Sequence, residues 1–297
     1  MRHRHKAHLA LLATNIFFAL NYSAIKYLIN KSLLQPLALN LIRIGGSMLI
    51  LWLFAMLKKT KTHIRKKDIW QFIGCALTGI ALNQILFVEG LSLTYSIHAS
   101  LLMLITPILI LIFTAVFLNE RITGEKTAGI VLGLTGAAVL ITARSRPGDG
   151  VDVLLGDTLI ILNAASYTVY FLLVKPLMKK YRSLVVMRMI FTIGFFMVLP
   201  VAWSSFNRIQ WQSFSILDFG VLSVIVVGGT LLAYIFNMYG IKILGATVAG
   251  SYIYSQPVFA SIIAIIVLHE RLSLYHLFAA GLIFGGVYLV NKKSVNG

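Results

Sequence analysis

The residues able to do chemistry in this chain are amides, phenols and two arginines, spaced a helical turn apart inside apolar runs. At about 100° per residue they fall on shared faces. Asn15 lines up with Tyr22 and Lys26, Asn40 with Arg43 and Ser47, and Asn83 and Gln84 with Phe87. Asn163 lines up with Ser166, Tyr167 and Tyr170, and Arg188 with Thr192 and Phe195. Tyr234 lines up with Asn237 and Ile241, and Tyr252 with Ser255, Gln256 and Phe259. Amides and phenols hydrogen-bond and stack without ionising near neutrality, so this chemistry holds a solute instead of breaking a bond. Polar groups inside apolar spans mark a cavity or a helix contact. Taken singly, each is equally well explained by a bond to a neighbouring helix. Taken together, Asn15, Tyr22, Asn40, Arg43, Asn83, Gln84, Asn163, Tyr167, Arg188, Tyr234, Asn237, Tyr252 and Gln256 read as the lining of a binding cavity. Its few charges suit a small amphipathic solute, aromatic ones included.

Other chemistries find little support. The one cysteine, Cys75, can form neither an intrachain disulfide nor a cysteine-based zinc cage. No His-Glu-x-x-His and no Gly-rich loop ending in Gly-Lys-Ser/Thr occurs, which argues against a metalloprotease and against direct use of ATP. No catalytic residue, metal or cofactor is expected. The histidines at 3, 5 and 8 read as a solvated basic tail in preference to a metal site. Arg43 is expected to pair with Glu89, because a charge inside a span needs a partner or an aqueous opening. Glu89 and His98 are the candidate proton carriers, with His98 read as a satisfied interfacial histidine.

These residues must be positioned by membrane spans. Hydrophobic residues make up 59% of the 297 and charged residues 12%, against about 25% charged in soluble domains. The net charge of +17 lies in short clusters between apolar runs, so nucleic acid is not the expected partner; the lipid bilayer is. Spans of about 20 residues are expected at 8–29, 36–57, 69–91, 95–117, 124–143, 154–174, 184–204, 215–240, 245–268 and 273–291. The first acts as an uncleaved targeting helix. Eighteen Lys and Arg residues fall on the side of the N-terminus and five on the other, with Lys26, Arg43 and Arg188 inside spans. That bias places both termini in the cytoplasm of a plasma-membrane protein, and an even number of spans agrees.

The chain also repeats itself. Residues 99–121 and 249–271 align at an offset of 150 without a gap, placing Ala99 on Ala249, Pro107 on Pro257 and Glu120-Arg121 on Glu270-Arg271. The match reaches from Gly79 on Gly229 to Gly136 on Gly286, and the face Asn83–Gln84–Phe87 maps onto Ala233–Tyr234–Asn237. Five spans per copy is an odd number, so the second copy enters from the opposite side. The expected fold is an all-α membrane protein of two inverted five-helix repeats, 1–146 and 147–297, joined by a turn-rich hinge at 144–152. Secondary transporters are built this way. Pro107 and Pro257 are expected to kink their helices and shape the cavity. Gly129-x-x-x-Gly133 and Gly281-x-x-x-Gly285 allow close packing, within one chain or in a homodimer through the fifth and tenth helices. Glu120 and Glu270 are expected to anchor helix ends.

In the paired ends Pro107 to Thr123 and Pro257 to Ser273, each reading P-x12-E-R-[IL]-[TS], and in the Gly-rich helices that follow them, the chain resembles the EamA family of the drug/metabolite transporter superfamily. Gly90-Leu91 ahead of Ala99 and an Arg early in the second helix of each half add to the likeness. Asn119 and His269, before each Glu, depart from the family's usual residues. The resemblance covers 8–291. It implies ten helices in two inverted units, a central cavity lined by the first four helices of each, and export or exchange of a small metabolite such as an amino acid or drug-like solute. A scaffold or lipid-handling protein without solute flux is the alternative.

Overall fold

The computed structural model describes residues 2–57, 64–118, 124–142, 152–244 and 252–291. The described residues are helical, with no strand among them. Glu120 and Arg121, and most of the hinge at 144–152, lie outside them. The helices are α1 (Arg2–Asn30), α2 (Pro36–Leu57), α3 (Ile69–Ala76), α4 (Leu82–Leu93), α5 (Ser96–Leu102), α6 (Thr106–Leu118) and α7 (Gly124–Thr142). They continue with α8 (Val153–Lys180), α9 (Ser183–Asn207), α10 (Ile216–Ser223), α11 (Ala233–Leu244), α12 (Gln256–Leu268) and α13 (Leu274–Asn291). Seven helical segments among the described residues are long and apolar enough to cross a membrane, where the sequence predicts ten. Gly124–Thr142 is not one of the seven. Of the predicted span 245–268, only the part from Tyr252 is described. α8 runs past its predicted end at 174 because Lys180 and Tyr181 reach Asp68, Lys180 at 2.8 Å and the Tyr181 hydroxyl at 2.7 Å.

Two rods are interrupted by wide π turns, at Leu77–Ala81 between α3 and α4 and at Val224–Leu232 between α10 and α11. A shift of 150 puts the first inside the second. Two more rods tighten into 3-10 turns at Met103–Ile105 and Ile253–Ser255, again 150 apart. Each tight turn lies just before Pro107 or Pro257. Proline has no N–H and its ring crowds the carbonyl four residues earlier, so the backbone narrows there to i→i+3 bonding. The Met103 carbonyl, which Pro107 cannot serve, accepts from the Thr106 N–H and, at 2.7 Å, from the Thr106 hydroxyl. The Ile253 carbonyl accepts from the Gln256 N–H. The carbonyls that the prolines cannot serve are thus already bonded, and each rod tightens just before its proline.

The main packings join the first half of the chain to the second: α2 lies on α9, α4 on α8, α1 on α11 and α12, and α7 on α13. Small residues let the rods close. A Cβ on Gly79 would lie 2.3 Å from the Tyr170 ring, and one on Gly229 would lie 2.5 Å from the Asn21 side chain. A loop contact adds to this: Lys31 meets Asp218 at 2.8 Å, which raises the Lys31 ammonium above its ordinary pKa.

The glycine seam between α7 and α13 differs from the predicted one. A Cβ on Gly286 would lie 2.5 Å from the Gly133 nitrogen and 2.6 Å from the Gly129 oxygen, whereas one on Gly281 meets nothing within 4 Å. The face of α13 that packs is Ala279, Ile283 and Gly286, and it is used inside the chain. Gly286→Leu must push backbone from backbone. We expect it to cost about 2 kcal/mol or more and to lower the unfolding midpoint of detergent-solubilised protein, while Gly281→Ala leaves the midpoint unchanged or raises it. Equal midpoints for the two variants would refute this seam.

Candidate functional site

A cavity of about 130 Å3 lies where α1, α2, α4, α8, α11 and the two 3-10 turns converge. Ten of the thirteen residues predicted from sequence line it: Asn15, Tyr22, Arg43, Asn83, Gln84, Asn163, Tyr167, Tyr234, Asn237 and Gln256. The π turns and the local bonds around them set these side chains. Asn83 Nδ2 donates to the Asn163 carbonyl at 3.2 Å and Asn163 Nδ2 donates to the Asn83 carbonyl at 2.7 Å, a reciprocal clasp between α4 and α8. One turn away, Ser166 donates to the Thr78 carbonyl inside the first π turn at 2.7 Å. Asn15 Nδ2 is held by the Leu11 carbonyl at 2.8 Å. Tyr22 packs edge-on to Phe87 with centroids 5.3 Å apart and accepts from Gln256 Nε2 at 3.4 Å. Tyr234 is held edge-on by Phe18 and Phe191.

The other three predicted residues do not line the cavity, and the reasons are local. Tyr252 is taken up by His8, whose Nδ1 lies 2.7 Å from its hydroxyl. Arg188 turns to the Trp52 ring, 4.6 Å from its centroid, and Trp52 is half-exposed on the bundle surface. Asn40 is fully buried, with both amide atoms unpartnered among the described residues. Arg43 does not pair with Glu89 either: its Nε donates to Thr230 Oγ1 at 3.3 Å, and Thr230 in turn donates to the Ile225 carbonyl in the second π turn. Missed from the sequence were Thr14, Phe18, Asn21, Met103, Thr106, Gly229 and Ile253. The repeat carried a signal for some of them, since Met103 and Thr106 sit 150 residues before Ile253 and Gln256.

A second polar cluster was also missed. Lys26, 7% exposed, donates to the carbonyls of Leu91 and Thr94. The Thr94 hydroxyl donates to Asp157 Oδ1, and His98 Nδ1 meets Asp157 Oδ2 at 2.9 Å. His98 Nε2 lies 3.4 Å from the Tyr275 hydroxyl, and its ring stands edge-on to His276 at 5.0 Å. His98 is satisfied, as expected, and its side chain is buried. Glu270 accepts from the backbone N–H groups of Ser96 at 2.8 Å and Ile97 at 3.0 Å. It thus anchors α5, from the other half of the chain, where a carboxylate at a helix start is favoured. The cluster ties both halves together at the end of the bundle where α1 finishes.

Comparison with known proteins decides the family. The sequence profile of the EamA-like transporter family matches residues 5–142 and 154–292. The chain belongs to the EamA-like transporter family. It is similar to "Uncharacterized transporter YetK" of Bacillus subtilis, at 25% identity over 251 residues, 84% of this chain and 76% of that protein. It is similar to an "Uncharacterized transporter" of Archaeoglobus fulgidus, at 25% identity over 97% of this chain and 99% of that one. A "Probable terminal-alkyne amino-acid exporter" of Streptantibioticus cattleyicolor is 26% identical over 78% of this chain and 76% of its own length. A crystal structure with 16% identity covers 97% of both chains at a TM-score of 0.62, a likeness of fold. As an EamA-like protein the chain is a membrane transporter, and its buried polar clusters are groups held away from lipid.

The Asp157 carboxylate serves two donors at once, so its loss strands both. We expect Asp157→Ala to destabilise this EamA-like transporter by about 3 kcal/mol, read as a lower unfolding midpoint in detergent. Asp152→Ala, at an exposed helix cap, serves as the mild comparator. An Asp157→Ala midpoint equal to wild type would refute the cluster as a tie between the halves.

Proposed function

We propose that the chain exports or exchanges a small organic metabolite by alternating access through the cavity between α1, α2, α4, α8 and α11. In this reading ten helices form two inverted five-helix repeats, 1–146 and 147–297, and both termini lie in the cytoplasm of a plasma-membrane protein. The observation that carries it is the cavity itself, whose lining includes residues 150 apart from both copies: Met103 and Ile253, Thr106 and Gln256, Gln84 and Tyr234, Phe87 and Asn237. A lining drawn from equivalent positions of both copies gives two nearly equivalent ways to open, one to each side. The modest volume favours a solute of amino-acid size over a larger drug-like one. The exporter named among the relatives supports the outward direction.

Two measurements test this. Tags on the two tails should both be reached from the cytoplasm; tails on opposite faces would end the inverted arrangement. Proteoliposomes should exchange members of a labelled panel of amino acids, amines and organic acids. Gln84→Ala and Tyr234→Ala should lower that exchange about tenfold or more, the loss expected when buried polar partners of a solute are removed. Absence of flux across the panel would leave the transport reading without support.

A further inference from the structure

We infer that Lys26 and Glu270 latch the cavity at the end where α1 finishes, by gripping the turn between α4 and α5. This rests on the transport reading above and names the residues that must let go for a solute to pass at that end. Two successive layers of contacts join α1 to α4 on the way from the cavity to that end. The first is Tyr22 of α1 set edge-on against Phe87 of α4, both of them lining residues. One helical turn further on, Lys26 meets α4 again: its ammonium donates to the Leu91 carbonyl at 3.2 Å and to the Thr94 carbonyl. It also lies 5.8 Å from the centre of the Tyr95 ring. Glu270, from the segment between α12 and α13, takes the other side of the same turn through the N–H groups of Ser96 at 2.8 Å and Ile97 at 3.0 Å. A cation thus holds the carbonyls that close α4, and a carboxylate holds the amide groups that open α5. Each charge has the sign its helix end favours.

These contacts suit a latch because water can replace them. Lys26 is 7% exposed, and its hydrogen bonds go to backbone carbonyls. An ammonium parted from them in lipid would be stranded. At the mouth of an opening cavity water takes the carbonyls' place, and the net cost of that exchange is small. Such contacts can break and remake in every cycle, as a lid requires. The turn is braced from behind, where the Thr94 hydroxyl donates to Asp157 of α8. It therefore moves with α8 when α1 and Glu270 release it. At the offset of 150 the counterpart of Glu270 is Glu120, but that of Lys26 is Pro176. The lysine grip belongs to one copy only, and it biases the resting chain towards closure at this end.

The test is thiol labelling of the cavity. Met103→Cys in a Cys75→Ala background puts a single thiol in the lining. A membrane-impermeant maleimide is offered to intact cells and to inside-out vesicles, with a tag marking the side of the N-terminal tail. Labelling from the side opposite that tail should be slow. Lys26→Met and Glu270→Gln should each speed it about tenfold without speeding it from the tail side. Lys26→Arg, which keeps the donors, should stay near the parent rate. Fast labelling of the parent from the far side, equal gains from both sides, or no gain in either variant would overturn the latch. Glu270 is only partly buried, so Glu270→Gln decides the matter even if Lys26→Met fails to fold. The labelling needs no solute, so the latch can fail while exchange by wild-type protein still stands. A wild-type protein that exchanges no solute would overturn the transport reading and, with it, the latch's place in a cycle.

Discussion

Lipid offers no hydrogen bonds, and the interruptions in this bundle follow from that constraint. A helix broken inside the bilayer must find new partners for the backbone groups it frees. Here each break finds them in protein. Thr106 takes the Met103 carbonyl beside Pro107, Ser166 takes Thr78 at the first π turn, and Thr230 takes Ile225 at the second. Gly229 of the second π turn and Met103 and Ile253 of the tight turns line the cavity.

The same constraint sorts the charges. Lys26, Asp157 and His98 gather near the end of the bundle, where carbonyls and hydroxyls at helix ends complete their bonding. Arg188 reaches the half-exposed Trp52. Arg43 alone among the charged residues lines the cavity, braced by a hydroxyl of the second π turn. It stands as one cation among neutral amides and rings.

The two halves of the chain are stitched together and not merely adjacent. α4 rests on α8 and α1 on α11, with glycines at the closest points. Cavity, seam and end cluster all draw residues from both halves. The offset of 150 reappears in the wide turns, in the tight turns and in the lining.

The sequence by itself determined the apolar helices, the duplication, the places where proline interrupts the helical bonding and most of the polar faces, because each is a matter of local composition, periodicity or self-similarity. Asn83, Gln84, Tyr234 and Asn237 were legible since a face repeated at the same place in both copies is visible without a structure. Tertiary structure decided the rest. Arg43 and Arg188 look alike in sequence, yet one lines the cavity and the other leans on Trp52. Asp157 and His98 stand 59 residues apart and meet only through the packing of α8 against α5. Gly286, and not Gly281, is the point of closest approach because the rotation of α13 about its axis is set by α7. Which side chains meet across helices depends on how the helices turn and cross, and no single helix encodes that.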